Sequence, residues 1–81
     1  MDLPRKYREP GDKRPIYVGL YTESTGVTGY KLLQNNSARV ATPYKGIDGT
    51  SEIKYKIWRT EAEAQSYLDH LARVRKWRQV R

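Results

Sequence analysis

The sequence predicts an α+β domain, with a small three- or four-stranded antiparallel sheet packed on one C-terminal α-helix. Three observations predict it. Apolar and polar residues alternate from Ile16, turn residues recur between short apolar stretches, and helical spacing takes over after Trp58. The 81 residues make one domain, because compact domains run from about 50 to 250 residues.

Residues 1–15 hold three of the four prolines and eight charges, five positive and three negative. No period survives there, so the stretch reads as a flexible basic arm ahead of a single domain over 16–81. From about 16 to 22, Ile16, Val18 and Leu20 fall on one side and Tyr17, Gly19 and Tyr21 on the other, as in a half-buried strand. Glu23 to Gly26 supplies a turn, and 27–33 returns as the second strand of a hairpin. Gln34 to Ser37 is a polar break. The stretch 38–44 contains Pro43 and reads as a weak or edge strand.

Asp48-Gly49 suits a tight turn that needs positive φ, and it leads into 52–58, where Ile53, Tyr55 and Ile57 alternate with Lys54, Lys56 and Trp58. That segment reads as the strongest strand. The helix is expected over about 61 to 77. Thr60 and Glu63 form a capping box, Glu61 and Glu63 suit the positive end of the helix dipole, and Ala64, Tyr67, Leu68, Leu71 and Val74 make the apolar stripe. The core must be small, and with seven Tyr, two Trp and no Phe it shares its aromatics with the surface.

Composition narrows the function classes. Lys and Arg number 16 against nine Asp and Glu, a net charge of +7. This excess favours a polyanionic partner: nucleic acid, an anionic surface or an acidic protein. No apolar run approaches the about 20 residues that span a bilayer, and the charged N-terminus has no apolar stretch of the signal-peptide kind behind it. With no cysteine there is no disulfide framework, no Cys-based zinc site and no thiol nucleophile. An intracellular, cytoplasmic location is expected.

Catalysis finds no support in the residues. His70 stands alone beside Asp69, opposite the apolar stripe, and has no second ligand at metal-binding spacing. Capping already explains Glu61 and Glu63. Gly46 and Gly49 lack the spacing and the following Lys-Ser/Thr of a phosphate loop. A non-enzyme without metal or cofactor is expected.

The basic and aromatic residues carry the binding hypothesis. With Ile53, Tyr55 and Ile57 toward the helix, Lys54 and Lys56 face out, beside Tyr17 and Tyr21, with Lys31 and Arg39 on the same exposed side. Lysines reach phosphates, and tyrosines stack on bases or pack on sugars. The alternative is an ordinary solvated sheet face in which tyrosine is simply a common strand residue; the net charge favours function. Arg73, Arg75, Lys76, Arg78 and Arg81 form a second basic group. Cations at a helix C-terminus are stabilising in their own right, but five exceed that need, and they make no membrane-binding face. Trp77 is expected to anchor the helix end to the sheet. Arg5, Lys6 and Arg8 form a third group on the arm.

The segment from Trp58 to Leu68 resembles the strand-to-helix junction of the arm-type, AP2-like DNA-binding domains at the N-termini of phage and transposon integrases. Trp58, Arg59, Thr60, Glu63, Ala64, Tyr67 and Leu68 stand where that junction has an aromatic, a basic residue, Thr, Glu-Ala and an aromatic-Leu pair. The similarity covers roughly residues 30–75. It implies a three-stranded sheet laid into the major groove with a helix behind it. It also implies Lys54 and Lys56 on the DNA-facing strand, Thr60 as cap and Trp58 under the helix. The last point conflicts with strict alternation from Ile57, which a bulge near Ile57-Trp58 would reconcile. No recombinase catalytic domain follows, and an additional N-terminal strand is expected, so a stand-alone role is implied.

Together these readings give a small nucleic-acid-binding module, with duplex DNA as the expected partner and single strands or RNA as a variant of the same reading. The site comprises Tyr17, Tyr21, Lys31, Arg39, Lys54, Lys56, Arg59, Arg73, Arg75, Lys76 and Arg78. The rival class is a small inhibitor or adaptor, of phage origin in one version, gripping an acidic protein or a ribonucleoprotein surface.

Overall fold

The computed structural model describes residues 5–35, 41–46 and 52–80. Five strands form one antiparallel sheet in the order β4-β3-β2-β1-β5. They are β1 (Lys6–Arg8), β2 (Ile16–Thr22), β3 (Thr28–Asn35), β4 (Ala41–Pro43) and β5 (Arg78–Val80). A 3-10 turn covers Glu52–Tyr55, and helix α1 covers Glu61–Arg75. The α+β class stands as predicted, with one helix against an antiparallel sheet.

The β2–β3 hairpin is the centre of the sheet, paired from Ile16↔Gln34 to Thr22↔Thr28. Its loop closes with Gly26 N–H donating to Glu23 O and with Gly26 at φ 95°, a left-handed conformation that glycine adopts without strain. Alternation then sorts the side chains. Ile16 and Val18 of β2 and Leu32 of β3 lie under α1 and meet Ala64, Leu68, Leu71 and Ala72. Leu20 and Val74, both expected in the core, are instead 63% exposed.

Helix α1 starts as the capping box requires. Thr60 Oγ1 accepts from Glu63 N–H at 3.2 Å and donates to Glu63 Oε1 at 2.9 Å. It ends two residues before the predicted stop. Lys76 takes the left-handed conformation (φ 59°, ψ 41°), and the N–H groups of Lys76 and Trp77 both close on Ala72 O. The chain reverses there because Trp77 is buried in the core, edge-on to Tyr44 at 5.7 Å between ring centroids. Trp77 is thus the anchor expected of it, and the residues after it become β5.

Residues 5–15 are not a flexible arm. Glu9 to Asp12 form a turn closed by Asp12 N–H to Glu9 O at 3.0 Å, with Pro10 second and Gly11 third at φ 82°. Proline and glycine at those places make a type II turn, a signal that the surrounding charges masked. The turn brings β1 beside β2 (Tyr7↔Ile16), and β5 adds to its other side (Lys6↔Val80, Tyr7↔Gln79, Arg8↔Arg78). Tyr7 is buried under α1. Asp69 of α1 holds the strand there, accepting from Arg5 Nε at 3.0 Å, from Arg5 Nη2, from Tyr7 Oη at 2.7 Å and from Gln65 Nε2 at 3.0 Å.

The strand expected over 52–58 is absent. Glu52–Tyr55 instead coils into the 3-10 turn, with Ile57 beyond its end. Only Trp58 pairs with the sheet, by a single bridge to Tyr30. The outer edge of β3 is divided between that bridge and β4, which pairs at Leu33, Gln34 and Asn35. Gly29 permits this crossing. A Cβ there would lie 2.6 Å from Ile57 Cγ1 and 2.9 Å from the Trp58 carbonyl oxygen.

Candidate nucleic-acid interface

The five-stranded register defines the face turned away from α1. Tyr7, Ile16 and Gln79 stand on the helix side, so their neighbours Lys6, Arg8, Tyr17 and Arg78 stand on the other. Lys6 Nζ lies 5.7 Å from the centre of the Tyr17 ring, which fits that shared face. The Tyr17 hydroxyl donates to Asn35 Oδ1 at 2.9 Å and fixes the ring. Lys6 and Arg78 are exposed and Arg8 is half-buried. None of the three has an ion-pair partner among the described residues, whose ion pairs are Arg5–Asp69, Arg14–Asp12 and Lys31–Glu23.

Several residues expected on this face are elsewhere. Lys31 does start from it, opposite Gly19, but it is 4% exposed. Its Nζ meets Glu23 Oε1 at 3.1 Å and Lys54 O at 2.9 Å and stands 5.7 Å from the Tyr21 ring centre. Lys31 is therefore an internal brace between hairpin and 3-10 turn, too enclosed to meet a phosphate. Lys54 belongs to that turn, over the Tyr55 ring. Lys56 reaches the opposite side, 5.9 Å from the Trp58 ring centre and 5.1 Å from that of Tyr67. Trp58 packs on Tyr67 of the helix at 5.1 Å, and Arg59 is exposed just before the cap. Arg39 lies outside the described residues.

The helix-end cations fare differently. Arg73, Arg75 and Lys76 are all exposed, and Lys76 lines a surface groove of about 510 Å³ together with Arg8, Lys13 and Arg78. The groove joins the helix end to the outer sheet face. Comparison with protein-family models, with curated proteins and with solved structures finds no match to this chain. The interface therefore rests on its own geometry. Sequence reasoning missed Lys6 and Arg8 as strand residues; the Pro10-Gly11 turn was the signal for them.

Of the carboxylates nearby, Asp12 is engaged. Asp12 accepts from Arg14 through its backbone N–H at 2.9 Å and through Nε and Nη2, and the bond from the Arg14 side chain holds its carboxyl below the usual range. Burial, then the adjacent Glu9 carboxylate, pushes the Tyr44 hydroxyl well above the ordinary tyrosine value. Among the described residues no group of three or more His, Cys, Asp or Glu forms a metal-binding cluster. No described helix is long and apolar enough to cross a membrane.

Proposed function

We propose that the protein is a small nucleic-acid-binding module that grips a phosphate backbone through the outer face of β1 and β5 and the adjoining helix end. One observation carries this reading: Lys6, Arg8 and Arg78 share one sheet face beside Tyr17, and none of them is in an ion pair among the described residues. In an apo domain such a strip gains little from its own fold and is suited to polyanionic phosphates. Duplex DNA is favoured over single strands. Stacking needs free ring faces, whereas Tyr17, Tyr21 and Tyr55 each carry a lysine ammonium within 5.7 Å of the ring centre.

Fluorescence anisotropy with duplex DNA, single-stranded DNA and RNA tests the reading. About four phosphate contacts give a slope near −4 in log affinity against log salt for duplex. Weak, salt-insensitive binding to all three nucleic acids would sink it, and the strip would then serve an acidic protein surface.

A further inference from the structure

Two unfavourable local arrangements border the same groove. Arg8 and Arg78 sit directly opposite one another on β1 and β5, and like charges in that relationship repel. Lys76 is the one non-glycine residue with positive φ among the described residues, at the position where a helix most often places glycine. Neither arrangement is needed to build the fold. A neutral residue at 78 keeps the β1–β5 pairing, and glycine at 76 ends the helix with less strain. Both place a cation on the groove of about 510 Å³, where Lys13 supplies a fourth.

Of the two carboxylates of that groove, Asp12 is paired with Arg14 while Glu9 keeps its charge, so among the described residues four cations face one unpaired carboxylate. The negative end of the α1 dipole also points here and disfavours an anion. However, the Ala72 carbonyl is already taken by the Lys76 and Trp77 amides, and four cations outweigh what remains.

We infer that this groove is a phosphate-binding site, in which Arg8 and Arg78 clasp one phosphate group of a nucleic-acid backbone while Lys76 and Lys13 close over it. Guanidinium groups suit the task because their N–H donors match phosphate oxygens in pairs. A bound phosphate turns the Arg8–Arg78 repulsion into shared attraction and accounts for a lysine at the helix stop. The nucleic-acid origin of the phosphate rests on the function proposed above; the site itself does not.

Titration of the full chain with inorganic phosphate at constant ionic strength, followed by amide NMR, tests the site directly. Saturable shifts confined to residues 8–13 and 76–78 are expected, and diffuse shifts at every exposed cation would overturn the proposal. The decisive variant is Lys76→Gly. Its midpoint of thermal unfolding is expected to rise by about 2 to 5 °C, while phosphate and duplex each bind about threefold to tenfold more weakly. Arg8→Ala/Arg78→Ala is expected to remove the saturable shifts and about two units of duplex salt slope. Duplex binding that survives both variants unchanged would overturn the groove and the Arg8–Arg78 share of the proposed interface, leaving nucleic-acid binding to Lys6 and the other cations. Saturable phosphate binding without duplex binding would keep the groove and remove that reading.

Discussion

The Tyr7 hydroxyl donates to Asp69 Oδ1 at 2.7 Å, and this bond, with the Arg5 fork on the same carboxylate, fastens the first strand to the helix across 62 positions of sequence. The proposed interface depends on it, because Lys6 and Arg8 flank Tyr7 on the strand that Asp69 holds.

Asp69→Asn keeps the shape and removes the charge that gathers these donors. Hydrogen bonds to a charged group contribute about 1.5 to 3 kcal/mol, so a loss of about 2 kcal/mol is expected in urea unfolding followed by tryptophan fluorescence. Faster amide exchange should concentrate in β1 and β5, and duplex affinity should fall with it. A variant as stable as wild type would show that β1 is held by Tyr7 burial alone.

The same carboxylate sets an acid limit. The Arg5 hydrogen bond, opposed in part by burial, lowers the Asp69 pKa from its ordinary 3.8 to about 2. The folded protein therefore binds fewer protons here than the unfolded chain, and stability rises with pH through this window. Its contribution is complete above 3.8 and is lost as pH falls from there to about 2. Asp12, also held low, adds to the same fall. In Asp69→Asn the pH dependence of unfolding between about 4 and 2 should shrink by the Asp69 part; an unaltered profile would assign the acid sensitivity elsewhere.

What the sequence made legible follows its periodicity. The β2–β3 hairpin, with a clean period of two and a glycine turn, lies within two residues of its reading. The helix start was legible because Thr60 and Glu63 state their capping chemistry locally. Its end was not, because Lys76 adopts a glycine-like conformation without being glycine. The segment 52–58 misled because its alternation has the period of a strand, whereas Glu52–Tyr55 coils into a 3-10 turn and only Trp58 reaches the sheet. Lys31 misled for another reason: nothing local shows that Glu23 and the Lys54 carbonyl, eight and 23 positions away, will enclose it. Basic residues of β1 and β5 joined one face only through pairing between the two ends of the chain.

Lys31 offers a test of that last distinction. Its ammonium is buried while Glu23 is partly exposed, so removing the carboxylate strands a buried charge, whereas removing the lysine discards the charge with its partner. Glu23→Ala is expected to cost about 2 kcal/mol, and Lys31→Met less. Thermal unfolding gives the order, and duplex anisotropy should leave Lys31→Met within about twofold of wild type. A tenfold loss would return Lys31 to the interface.

Lys56 tests the side of the molecule assigned to nucleic acid in the proposed reading. Trp58 pairs with Tyr30 and stacks on Tyr67, so its indole and the Lys56 ammonium above it belong to the helix side, away from Lys6 and Tyr17. An exposed cation over aromatic faces contributes about 0.5 to 1 kcal/mol. Lys56→Ala should lose about that much stability and alter the tryptophan emission, with duplex salt slope unchanged. Lys6→Ala, which uncovers only the Tyr17 ring, should lose no more stability than that and lower the slope by about one unit. If the two slopes exchange places, the nucleic acid lies against Trp58 and Tyr67, and base stacking on that pair replaces backbone contact by the sheet.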